Sequence, residues 1–232
     1  MKSNRIMQSK IYRFLDYVFR LIVLNALVMI PSFSFFIIYA NLNKSSDGPL
    51  IYLTLIPLVL LFFPSVVACI DVIKQYETNE TNTIFKDFFK SFIKNYLKSL
   101  VFTIFIIISG LLLYNSFIYF VNYVRNSSIH ILGVILSFSF SFAFLMIVLH
   151  IPLVMAYFKG LRIIEITKLA CIMAFKDILT SMLMVFIVLF FVIIDVALYI
   201  VMIFGGISIP LFLVIKLSFK QYEKIYRKVK EK

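Results

Sequence analysis

Tryptophan is absent from this 232-residue chain, cysteine occurs only twice, glycine six times, and just 11 residues are acidic. Cys69 and Cys171 stand alone with no CxxC spacing, which excludes a disulfide scaffold and a cysteine-built zinc site and leaves two reduced packing residues. So few glycines form no phosphate-cradling Gly-Lys loop and no Gly-x-Ser-x-Gly elbow. A His-Glu metal motif and a carboxylate cluster are also missing, so an ATPase is excluded. No catalytic residue, cofactor or metal is expected, and no enzyme. Long polar runs are scarce as well: the longest, 74–98, is too short for a soluble domain.

What the chain has instead is apolar length. Hydrophobic residues make up 62% of it and mean hydropathy is +1.03. The apolar stretches fall at about 21–40, 51–73, 100–120, 131–156, 178–202 and 206–222. About 20 apolar residues cross a hydrocarbon core of about 30 Å. Nothing alternates in the ten-residue pattern of a membrane barrel, so helices are the remaining way to satisfy the backbone. The expected fold is an all-α membrane protein: one domain, 1–232, built as a six-span helical bundle with a basic tail at 223–232. The last break rests on Gly205-Gly206, with Pro210 suited to the first turn of a new helix.

Of 23 Lys and Arg residues, only Lys44 and Arg125 fall outside four basic segments: the N-terminus, 74–98, 157–177 and the C-terminus. Basic segments are retained in the cytoplasm, so both termini are expected inside a multi-pass bacterial plasma-membrane protein. The +12 charge sits beside spans, which points to anionic lipids at the inner leaflet and not to nucleic acid. The first stretch has a long basic lead and is too long for a signal-peptide core, so it is expected to stay as a span.

Two basic connections read as cytoplasmic amphipathic helices, about 83–98 and 161–177. In the first, apolar pairs recur every four residues, among them Phe85, Phe88, Phe89 and Phe92, with Lys86, Lys90, Lys94 and Lys98 between them. That period gives a helix with an aromatic face, expected to lie flat on the inner leaflet with lysines toward water. Thr81, Asn82 and Thr83 are its cap candidates. In the second, Arg162, Glu165 and Lys168 share one side. Lys94–Ser99 and Lys176–Ser181 match loosely, which a tandem repeat or chance would both explain.

Inside the spans, polar residues are few. Asp195, about 17 residues into the fifth stretch, is expected near the outer third of the membrane, marking a functional site or sitting hydrated at the interface. His150, two residues before Pro152, is expected to bond a carbonyl freed by the proline, against metal or proton relay. His130 reads as an exposed loop residue. Asn115 either glues helices, the favoured role, or contacts a solute hydroxyl. Arg13, Asp16 and Arg20 share a face and suit charge-compensated anchoring. Pro57 and Pro64, two turns apart, read as a kink in the second span.

The N-terminal Tyr12-Arg13-Phe14-Leu15-Asp16 leading into a span with Asn25, the aromatic-basic run from Phe85 to Lys98, and the ending around Gly206-Ile207-Ser208 resemble the YesL family of small multi-pass bacterial membrane proteins. The resemblance covers nearly the whole chain through diffuse motifs, and carries no catalytic or binding residues with it. It implies a Gram-positive origin and an accessory role beside a carbohydrate ABC importer, whose permease subunits would be the partner. The alternative is a substrate-binding transport subunit or small transporter with an intramembrane site near Asp195. It is similar in size to the vitamin-binding subunits of energy-coupling importers, but lacks an Ala-x-x-x-Ala pattern in the first span. An intramembrane enzyme is the third class, and no catalytic set supports it.

Overall fold

Continuous helix is what a chain of this apolarity must form, and the computed structural model is helical throughout. It describes residues 10–42, 48–78, 83–123 and 128–230. The helices are α1 (Lys10–Leu42), α2 (Gly48–Glu77), α3 (Ile84–Tyr123), α4 (Ser128–Tyr157), α5 (Ile163–Lys176), α6 (Ile178–Ala197), α7 (Tyr199–Phe204) and α8 (Ser208–Lys230). Among the described residues there is no strand. Among the described residues three helices, α3, α4 and α6, are long and apolar enough to cross a membrane. At 33 and 30 residues, α1 and α2 measure about 50 and 45 Å. Lys44, Arg125, Thr81 and Asn82 lie outside the described residues.

The packed core is not spread evenly along the helices. Its fully buried members include Val67, Ala68, Cys69 and Ile70 of α2, Ile151, Leu153 and Val154 of α4, Ala170 and Met173 of α5, and Ile215 and Tyr222 of α8. These lie toward the basic ends of their helices. The opposite halves of α3 and α4 are largely exposed, including Ile108, Leu112, Ile131, Leu132 and Phe138. Exposed apolar surface of this extent has a physical home only in lipid or against another membrane helix.

α3 corrects the expectation of a separate helix flat on the leaflet. Residues 84–98 and the apolar stretch after them form one unbroken 40-residue rod. With no proline or glycine before Gly110, nothing in it makes the sharp bend such a layout needs. Phe88, Ser91 and Ser99 are buried against the bundle, while Phe85, Phe89, Ile93 and Leu97 face outward with Lys86, Lys90 and Lys94 exposed beside them. The second connection behaves differently. α5 starts where Glu165 accepts the Arg162 backbone N–H at 2.7 Å, half of a capping box. It ends at Asp177, whose carboxylate accepts the Thr180 hydroxyl at 2.8 Å and opens α6. One junction is continuous and the other a capped break, so the loose match between Lys94–Ser99 and Lys176–Ser181 has no shared geometry.

α2 runs unbroken past Pro57 and Pro64. α8 starts at Ser208, with Pro210 in its first turn as expected. Only Ser208–Ile215 precedes the exposed Lys216, about 12 Å of rise, well short of the hydrocarbon thickness.

Candidate functional site

Polar side chains buried among apolar ones must find partners, and following those partners locates the site. The first group sits where α1 meets α2. Arg20 pairs with Asp16 at 2.8 Å and lies over the Tyr76 ring at 4.4 Å. The Tyr76 hydroxyl donates to Asp16 at 3.0 Å, and the Tyr17 hydroxyl donates to Glu77. Burial first, and the carboxylates each donates to second, push both phenols above the ordinary tyrosine range. The expected anchor of charged residues therefore holds two helices together; the side chain of Arg13 is outside the description.

The second group is a clasp across three segments. Asp71 of α2 is buried, accepts the Ser91 hydroxyl of α3 at 2.8 Å, and stands 3.2 Å from Lys159 Nζ after α4. The lysine is near enough for an ion pair without being aligned as a hydrogen bond to that oxygen. Lys98 Nζ donates to the Leu161 carbonyl at 2.7 Å, holding the same turn.

Asn25 is completely buried, and its amide is used on both sides. Nδ2 donates to the Met202 and Ile203 carbonyls, each at 2.8 Å; Oδ1 accepts from the Ile207 and Ser208 backbone N–H groups at 3.0 and 3.2 Å. One side chain thus satisfies carbonyls at the end of α7 and amides at the start of α8, groups that a helix break in lipid would otherwise leave bare. Asn25 and Gly206-Ile207-Ser208 were separate pieces of the sequence resemblance, and the fold brings them into contact.

His150 of α4, also fully buried, does not bond a carbonyl freed by Pro152. Its Nδ1 lies 2.7 Å from the Tyr222 hydroxyl of α8 and its Nε2 2.9 Å from the Ser181 hydroxyl of α6. Ser181 gives its only proton to the Asp177 carbonyl at 3.1 Å, which assigns the tautomer: Nε2 donates to Ser181 and Nδ1 accepts from Tyr222. With both ring nitrogens used and the side chain wholly buried, the cluster is a fastening of three helices. His130 is likewise not a loop residue: it lies in the first turn of α4, and its Nδ1 donates to the Phe120 carbonyl at 2.6 Å.

Asp195 is half-buried, and its Oδ1 is among the buried polar atoms left without a hydrogen-bond partner. α6 and α8 run antiparallel, with Asp195 against Gly206 at one end and Ser181 and Tyr222 sharing His150 at the other. A Cβ at position 206 would overlap both carboxylate oxygens, so glycine is what lets the backbone come this close. Gly206 adjoins the Ile207 amide held by Asn25, and Asn25 lies five residues beyond Arg20 on α1. Asp195 therefore lies on the Asn25 side of the bundle, and the α6–α8 pair runs between Asn25 and His150. There a cavity of about 230 Å³ opens between α2, α4, α6 and α8, and Asp195 lines it.

Asn115 is exposed on α3, one turn from Leu112. Among the described residues no three His, Cys, Asp or Glu side chains gather closely enough to hold a metal ion.

These features define an all-helical protein of membrane-spanning type. The model of a family described as "Protein of unknown function, DUF624" matches residues 21–117, somewhat under half of the chain. That segment carries Asn25, Asp71, Ser91 and most of α3. No curated protein matches the chain, and no solved structure matches it.

Proposed function

We propose that the chain is a DUF624-type, non-enzymatic accessory subunit of a bacterial plasma-membrane complex, docking through α3 on the permease subunits of a carbohydrate ABC importer. The importer comes from the YesL-like resemblance; the docking surface comes from one observation. Ile108, Leu112, Asn115 and Tyr119 fall within a narrow arc of α3 and all four are exposed. A carboxamide exposed among apolar side chains is costly facing lipid, and a partner helix relieves that cost. Gentle extraction and affinity purification should bring down two permease subunits. Asn115→Leu should weaken that capture roughly tenfold, the worth of one interhelical hydrogen bond of about 1–2 kcal/mol in membranes. A wild-type protein that purifies alone, or full capture by Asn115→Leu, overturns the reading.

The arrangement in the membrane follows from charge and from Asn25. We infer that α1–α4 cross, that both termini are cytoplasmic, and that the α6–α8 hairpin enters and leaves from the basic side. A sixth crossing over 206–222 would put the termini on the same sides, so the Gly205 turn decides between them. In a cysteine-free background on intact cells, an impermeant thiol reagent should label Asn126→Cys, leave Lys230→Cys untouched until lysis, and miss Phe204→Cys. Labelling at position 230 before lysis overturns the orientation; labelling at position 204 restores the sixth crossing.

A further inference from the structure

We propose that the cavity beside Asp195 is a binding site for a small lipophilic amine, an ammonium group on an apolar body of about the size of a phenylalkyl chain. This goes beyond the docking role and does not depend on it.

The walls fix the body of the ligand. Phe62 and Val66 of α2, Leu149 of α4, Val188 of α6 and Leu211 of α8 present hydrocarbon to a space of about 230 Å³. A dry cavity of about 150 Å³ lined by similar side chains already holds benzene, so this one takes a ring with a short chain. The single charged lining group fixes the head. Asp195 is half-buried, but its Oδ1 is buried and has no hydrogen-bond partner, and among the described residues no lysine, arginine or histidine lines the cavity. An acceptor among apolar walls is left at a cost unless a donor reaches it. The described lining residues are otherwise apolar side chains and the backbone beside Gly206, so a ligand that carries a donor completes the site. An ammonium supplies three donors and the opposite charge, an interaction that a low-dielectric surround strengthens. An anion is repelled, and a neutral hydrocarbon leaves Oδ1 as it was.

Gly206 gives the site its reach. Because the helix break passes so close to the carboxylate, a side chain at this position would displace Asp195. The Asn25 bonds to Ile207 and Ser208 hold that backbone in place. The pieces around the carboxylate are therefore rigid before a ligand comes, which lowers the ordering cost of binding.

The test uses the full chain in nanodiscs of zwitterionic lipid, with protein-free nanodiscs subtracted. The probes are 2-phenylethylamine, ethylbenzene and phenylacetate, followed by ligand-observed NMR. The amine should saturate, ethylbenzene should bind at least tenfold more weakly, and phenylacetate should not bind. Asp195→Asn should cut amine affinity at least tenfold and leave ethylbenzene unchanged. Val66→Phe, which fills the far wall and leaves the carboxylate alone, should abolish both. Equal saturation by amine and ethylbenzene on the wild-type chain overturns the proposal without needing any variant, and so does unchanged amine binding by Asp195→Asn or by Val66→Phe.

Discussion

Asn25→Leu will unfold at far lower denaturant than the parent chain, losing about 4 kcal/mol or more. Leucine keeps asparagine's branching and number of non-hydrogen side-chain atoms and suits the apolar surroundings, though it is bulkier, so most of the loss is that of hydrogen bonds. It strands four backbone groups at once: the Met202 and Ile203 carbonyls and the Ile207 and Ser208 amides. A buried polar group without a partner costs about 1–3 kcal/mol. Asn25→Asp separates the two sides of the clamp. Its carboxylate still accepts from Ile207 and Ser208 but can no longer donate to the α7 carbonyls, so it should lose less than Leu does. Unfolding by detergent or by steric trapping in bicelles measures both. A Leu variant within about 1 kcal/mol of the parent would show that the α7–α8 break is satisfied some other way.

The second large effect belongs to His150, and its signature is a rescue. His150→Leu leaves the Tyr222 hydroxyl, wholly buried, without its acceptor. It also removes the donor to Ser181, at a total cost of about 3 kcal/mol. Tyr222→Phe alone strands Nδ1 and should cost about 1–2 kcal/mol. Because two missing partners are better tolerated than one, the double variant should be more stable than His150→Leu by at least about 1 kcal/mol. Additive losses in the same unfolding assay would mean that the two side chains do not share the hydrogen bond at 2.7 Å.

How much of this could be read from sequence differs residue by residue, for physical reasons. The long helices were legible, because hydrophobic length is a local property and lipid permits little else. The start of α8 at Ser208 was legible too, from Gly205-Gly206 and Pro210. Asn25 stood out only as part of a motif, since its partners lie up to 183 positions away and nothing local encodes them. The His150 partners, Ser181 and Tyr222, were invisible for the same reason. The side of α3 that Asn115 takes was not legible, because helices as uniformly apolar as these carry no strong face, and periodicity cannot orient them. The flat helix at 83–98 failed through its boundary: an amphipathic pattern followed by an apolar one looks like two elements, but the backbone needs no break between them. The approach of Asp195 to Gly206 and the Asn25 clamp was not legible, because those neighbours lie beyond the end of α6 and not along it.

The clamp on Asn25 also sets a timetable. Its partner amide in Ile207 is 182 residues downstream, and a ribosome adding about 5–20 residues per second needs roughly 10–35 s to reach it. Through that interval the Asn25 carboxamide lacks its downstream partners, and α2 and α4 wait for the segment that closes the core. The nascent chain is expected to stay open to proteolysis until that segment has been made. Truncations anywhere before Ser208 should be cleared from the cell, not accumulate as smaller stable bundles.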